Sequence, residues 1–94
     1  MATSAVNVGS SATEIVDRND KRIHLEIYND GGSTIYIGSD NSVTSSTGIP
    51  LFSGQRRTFE AVTGEHRFYY RGAIFGITAS GTNAVRVLEL LEVR

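Results

Sequence analysis

Apolar and polar side chains alternate with a period of two along much of this chain, which is the pattern of strands with one face in a core. The clearest run is Arg22 to Tyr28, where Ile23, Leu25 and Ile27 share one face and His24, Glu26 and Tyr28 the other. Asn29 to Ser33 then gathers residues that accept turn geometry, and Thr34 to Gly38 resumes the alternation, so the two strands are expected to pair as a hairpin. Thr13 to Val16 reads as a short extended piece closed by the polar turn Asp17 to Asp20. Ser39 to Thr47 carries Val43 as its single apolar anchor and reads as a surface loop, from which Gly48 to Leu51 turns the chain back. Gln55 to Phe59 reads as a further strand.

The stretch from Glu65 to Ala79 is rich in strand formers but too long for one unbroken strand, so Gly72 or Gly76 is expected to mark a bend or bulge. Beyond the turn at Ser80 to Asn83, two readings of residues 84–93 compete. Ala84, Val87, Leu88 and Leu91 match a helix, whereas Val85 and Val87 followed by Leu88 and Leu90 match a strand whose phase slips once at a bulge. The strand fits better, because its β-branched start follows a hairpin-like turn and a helix there would lack an acidic first turn. Residues 1–12 hold no charge and present Val6 and Val8 two apart, which suits either a frayed or edge-pairing terminus or an N-terminal arm that docks on a neighbouring subunit. The sum is an all-β chain, with residues 13–94 as a single antiparallel β-sandwich or jelly-roll-like barrel of about seven or eight strands. The expected core is Ile23, Leu25, Ile27, Ile35, Ile37, Leu51, Phe59, Ile74, Ile77, Val85 and Val87.

Composition narrows the function classes. Gly, Ser, Thr and Asn supply over a third of the 94 residues, which favours strands and turns over helices. The absence of cysteine excludes disulfides, thiolate zinc sites and a cysteine nucleophile. A net charge of -1 argues against a nucleic-acid partner, and no apolar run approaches a membrane span, so a soluble, unexported chain is expected. All but one of the basic side chains are arginine, whose planar fork suits carboxylate pairing at protein contacts.

The chemistry of catalysis is thinly represented. His24 with Glu26, the isolated His66, and the Glu60 and Glu65 carboxylates sit in no arrangement that makes a triad, a metal site or a glycosidase pair, and ordinary solvated side chains account for them. Asp30-Gly31-Gly32 and Asp40-Asn41-Ser42 are turn chemistry, without the spacing of a calcium loop or a phosphate loop. No enzyme activity and no cofactor is expected. Phe68, Tyr69, Tyr70 and Phe75, flanked by Arg67 and Arg71, divide between core filling and an exposed remainder of interface type, with a sugar platform as the weaker alternative. Arg56 and Arg57 alternate across a strand and therefore cannot act as one clamp, which leaves at least one solvated and the other able to pair with a carboxylate on another subunit.

Three segments in order, RIHLEIYNDGGSTIYIG (22–38), VTSSTGIPLFSG (43–54) and GITASGTNAVRVLE (76–89), resemble small β-rich virion proteins of tailed bacteriophages over about residues 13–90. The Glu65 to Arg71 segment departs from that pattern. The resemblance implies a virion protein made in the host cytoplasm, a capsid decoration or cement protein binding the major capsid protein or another virion protein. A tail or head-fibre component acting as a receptor- or carbohydrate-binding module is the alternative. It also implies a homo-oligomer, a trimer by analogy, with neither nucleic acid nor membrane as partner. Partner contacts are then expected at Val6, Val8, Arg56, Arg57, Tyr69 and Arg71 and along the 39–47 loop.

Overall fold

In a computed structural model, the structure describes residues 2–63 and 66–91, with the side chains of 2, 60–63 and 66–69 outside that description. Ten strands follow in order: β1 (Ala2–Val8), β2 (Thr13–Val16), β3 (Arg22–Asn29), β4 (Ile35–Gly38), β5 (Ile49–Leu51), β6 (Arg56–Thr58), β7 (Glu60–Thr63), β8 (His66–Tyr69), β9 (Ile74–Thr78) and β10 (Asn83–Leu91). One sheet has the order β1-β10-β3-β6, a second β2-β9-β4-β5, and β7 pairs with β8 alone. Every pairing is antiparallel, and among the described residues there is no helix. The first strand pairs with the last, the second with the last but one, and so inward to β3 with β6 and β4 with β5. That nested order, with β7–β8 inserted as an extra hairpin, is a jelly roll. The C-terminal segment is therefore strand through Leu91, as its β-branched start implied.

The two sheets close on Val8, Ile15, Leu25, Ile27, Ile35, Ile37, Leu51, Ile74, Val85 and Val87, with Phe59 and Tyr70 packed against this cluster. Gly76, inside β9, leaves room for Ile15, whose Cδ1 would lie 2.7 Å from a Cβ there. The break between β8 and β9 falls at residues 70–73 and so at Gly72.

Four sequence expectations are corrected. The strands β3 and β4 do not form a hairpin, since they belong to different sheets. The turn-forming residues between them instead carry the chain across the sandwich around a buried amide cluster. In it Asn29 donates to the Ser33 and Leu51 carbonyls, both at 2.8 Å, and Asn83 donates to Asn29. The amide of Ser33 donates to Asn83 at 3.0 Å. Gly31 is required there, because a Cβ would lie 2.1 Å from Asn83 Oδ1.

Ile23 is not a core residue. Leu90 pairs with His24 but Leu91 with Arg22, so Ile23 sits in a bulge, and the strand phase flips to bring Arg22 inside in its place. The expected slip after Val87 is absent, and Glu89 stays in phase with Val85 and Val87 to face Arg22. Ile77, opposite Tyr36, lies on the outer face of its sheet and is half-buried, as is Phe59. Val8, Ile15 and Val43 are buried instead.

Candidate functional site

Residues 2–8 run as the edge strand of the first sheet rather than as a detached arm. Val8 is fully buried and Val6 lies opposite Val85, half-buried, so removing this segment would take a core side chain with it. Along β1 the exposed residues are Thr3, Ser4, Ala5 and Asn7.

Arg56 and Arg57 alternate across β6 as the spacing required. Arg56, opposite Tyr28, points outward, where its Nε lies 2.6 Å from Glu26 and its guanidinium 5.8 Å from the centre of the Tyr28 ring. Glu26 is also 3.5 Å from His24 Nε2, so Arg56, Glu26 and His24 form a polar cluster on the outer face. Arg57, opposite Ile27, points between the sheets.

Arg71 is a structural link: its Nε donates to the Arg22 carbonyl at 2.9 Å and its own carbonyl accepts from the Asn19 amide at 2.9 Å. Tyr70 packs on Phe59 at a ring separation of 5.8 Å, and its hydroxyl donates to the Ala73 carbonyl at 2.7 Å. The side chains of Arg67, Phe68 and Tyr69 lie outside the described residues, as do those of Glu60, Glu65 and His66, although β7 and β8 pair through Glu60 with Tyr69.

The 39–47 loop is ordered by its own side chains. Asp40 accepts from the Ser42 hydroxyl and, at 2.9 Å, from the Ser42 amide, bonds that hold its carboxyl below the usual aspartate range. Thr44 and Thr47 bond each other, and Val43 is buried beneath them against Gly38 and Gly48. Among the described residues no group of three or more acidic, histidine or cysteine side chains gathers as a metal site.

What the structure brings together, and the sequence did not, is an opening between the sheets. Ile37, Gly38 and Ser39 from the end of β4, Ile49 of β5, Arg57 of β6, Phe59, Tyr70 and Ile74 of β9 line a cavity of about 180 Å³. The two outermost strands on this side, β5 and β6, are each three residues long and cover it incompletely. Ile49 is 52% exposed at its rim, and Phe52, in the link from β5 to β6, is 57% exposed. Tyr36, Phe75 and Ile77, together with Pro50, fall in outward phase on the second sheet, opposite the core positions Ile35, Ile37 and Ile74. The only signal of this in the sequence was the Gly-Ile-Pro-Leu-Phe run, whose apolar residues exceed what a three-residue strand can bury. Comparisons with family models, curated proteins and solved structures found no match.

Proposed function

We propose that this jelly roll is a non-enzymatic binding protein of a bacteriophage particle, a capsid decoration or cement protein that adheres to the head lattice and stabilises it. The observation that carries the reading is the apolar surface on the β4–β5 side of the second sheet, where Ile49 and Phe52 are more than half exposed. Large apolar side chains concentrated on one side of a small domain mark an interaction surface. The ordered sequence resemblance over residues 13–90 supplies the kind of partner, and jelly rolls recur among viral capsid domains. The physics is mass action: a protein that binds the assembled shell but not its separated subunits shifts the equilibrium toward the shell.

Lectins share this architecture, so fold alone leaves the fibre-tip alternative in play. The Tyr70 hydroxyl is already bonded to Ala73 and its ring packs on Phe59, which weighs against Tyr70 as part of a sugar platform.

The test adds the purified chain to heads assembled without it and counts copies bound. Saturation at a fixed number per lattice unit, with a higher temperature of head disruption, is expected. Absence of saturable binding, together with a response on a glycan array, would replace this reading with the carbohydrate-binding one.

A further inference from the structure

Arg57 has an environment unlike that of the other described arginines. Its position opposite Ile27 sends the side chain to the inner face of the first sheet, so Glu26, claimed by Arg56 on the outer face, is beyond its reach. Among the described residues no hydrogen bond or ion pair forms to its guanidinium, which lines a cavity otherwise made chiefly by Ile37, Ile49, Phe59, Tyr70 and Ile74. A half-buried guanidinium beside apolar walls is poorly hydrated on one side and is matched by a carboxylate, which its fork binds through two parallel hydrogen bonds.

The size of the cavity limits what else it takes. At about 180 Å³ it has room for one large apolar side chain, since an apolar cavity of roughly 150 Å³ holds benzene. A long acyl chain exceeds it. The cavity is lined by Ile49 of β5 and Arg57 of β6, the outermost strands of their sheets, beside which an extended segment can lie.

We infer that this opening is the docking site for an extended peptide segment of the partner protein, which inserts one large apolar side chain between the sheets and places an adjacent carboxylate on Arg57. The site rests on the reading of the chain as a particle-binding protein and names where that binding is made. The apolar side chain supplies affinity, and the carboxylate fixes direction and register.

The probes are N-acetyl-phenylalanine, which carries a carboxylate beside a large apolar group, and its neutral amide. Methyl and aromatic NMR of the full chain follows Ile37, Ile49, Ile74 and Tyr70. The acid is expected to shift these signals selectively and to bind about tenfold more tightly than the amide, which corresponds to about 1.4 kcal/mol. Arg57→Gln, with an unchanged thermal midpoint, is expected to abolish that preference, whereas Ile49→Ala weakens both probes alike.

Equal binding of acid and amide, shifts centred elsewhere, or a preference that survives Arg57→Gln would overturn the site. Tighter binding of dodecanoate than of N-acetyl-phenylalanine would overturn the peptide occupant in favour of a lipid. Head binding separates the two proposals. Arg57→Gln protein that still saturates heads with wild-type affinity removes this docking site and keeps the particle reading, while wild-type protein that takes the acid probe but no heads removes the particle reading.

Discussion

Replacing Arg22 tests what holds the jelly roll closed at the end where β7 and β8 are inserted. Its side chain is fully buried, yet every branch of the guanidinium is used: Nε donates to Glu89 at 2.7 Å, one terminal nitrogen to the carbonyls of Tyr70 at 3.1 Å and Gly72 at 2.9 Å, and the other to the carbonyl of Asp17. One side chain thus joins β3, β10, the turn before β3 and the segment between β8 and β9. Arg22→Met keeps most of the volume and removes every donor. It leaves the Glu89 carboxylate, only 16% exposed, and three carbonyls without their partner.

Removing one member of a buried ion pair costs about 3 to 5 kcal/mol. A chain of 94 residues unfolds with an entropy that converts each kcal/mol to roughly 5 °C, so the melting midpoint should fall by about 15 to 25 °C. Against a total stability of about 5 to 15 kcal/mol that is a large share. Arg22→Lys should be nearly as costly, because a single ammonium cannot reach four acceptors held by a planar fork. Pairing Arg22→Met with Glu89→Leu should recover part of the loss by removing the stranded carboxylate. Thermal unfolding followed by circular dichroism reads all three. Hydrogen exchange adds a local measure, since the Asn19 amide bonded to Arg71 is expected to exchange faster in Arg22→Met than in the parent. A midpoint shift below about 5 °C in Arg22→Met would show that the buried network contributes little beyond filling space.

Two further outcomes follow from the same geometry. Gly31→Ala drives a Cβ to 2.1 Å from an Asn83 amide that is itself fixed by Asn29, and should cost about 2 to 3 kcal/mol in urea unfolding, whereas Gly76→Ala meets the terminal methyl of Ile15 at 2.7 Å, which can rotate aside, and should cost about 1 kcal/mol; the reverse order would refute the amide cluster as a rigid element. Asp40, held below the 3.8 of an unperturbed carboxyl first by the Ser42 hydroxyl and then by its amide, has a folded-state value under its unfolded one, so its contribution is present above about pH 4 and is lost as the pH falls through the depressed folded value; carboxyl NMR should place its midpoint below 3.8 and Ser42→Ala should raise it.

The alternation of Leu25 with Ile27, Ile35 with Ile37 and Val85 with Val87 was enough to place these six residues in the core and to give the all-β class, because a half-buried strand repeats its burial every second residue. That rule fails where the repeat is interrupted by a partner. Nothing in Arg-Ile-His-Leu-Glu-Ile shows that Ile23 is bulged out, since the cause is the register that β10 imposes from the far end of the chain. The supposed β3–β4 hairpin failed for a related reason: a Gly-rich turn reports that the chain reverses, not which sheet receives it, and here the choice is made by Asn29 and Asn83, 54 residues apart. The split of Arg56 from Arg57 was legible because adjacent residues on a strand always part; the cavity into which Arg57 points was not, because it is built from five separate segments.

The first sheet directs two arginines toward its inner face, and the difference between them separates a structural role from the binding one proposed for Arg57. Arg22 arrives there by a bulge, at a place where β10 supplies a carboxylate and three backbone carbonyls converge, so its charge is matched within the fold. Arg57 arrives by ordinary alternation on a three-residue outer strand, where the second sheet offers mainly isoleucines and no described side chain bonds its guanidinium. A chain selected only for stability has little reason to keep a guanidinium in that position, since an apolar side chain would fill the opening and close it. Matching by a carboxylate from outside would give the position a use.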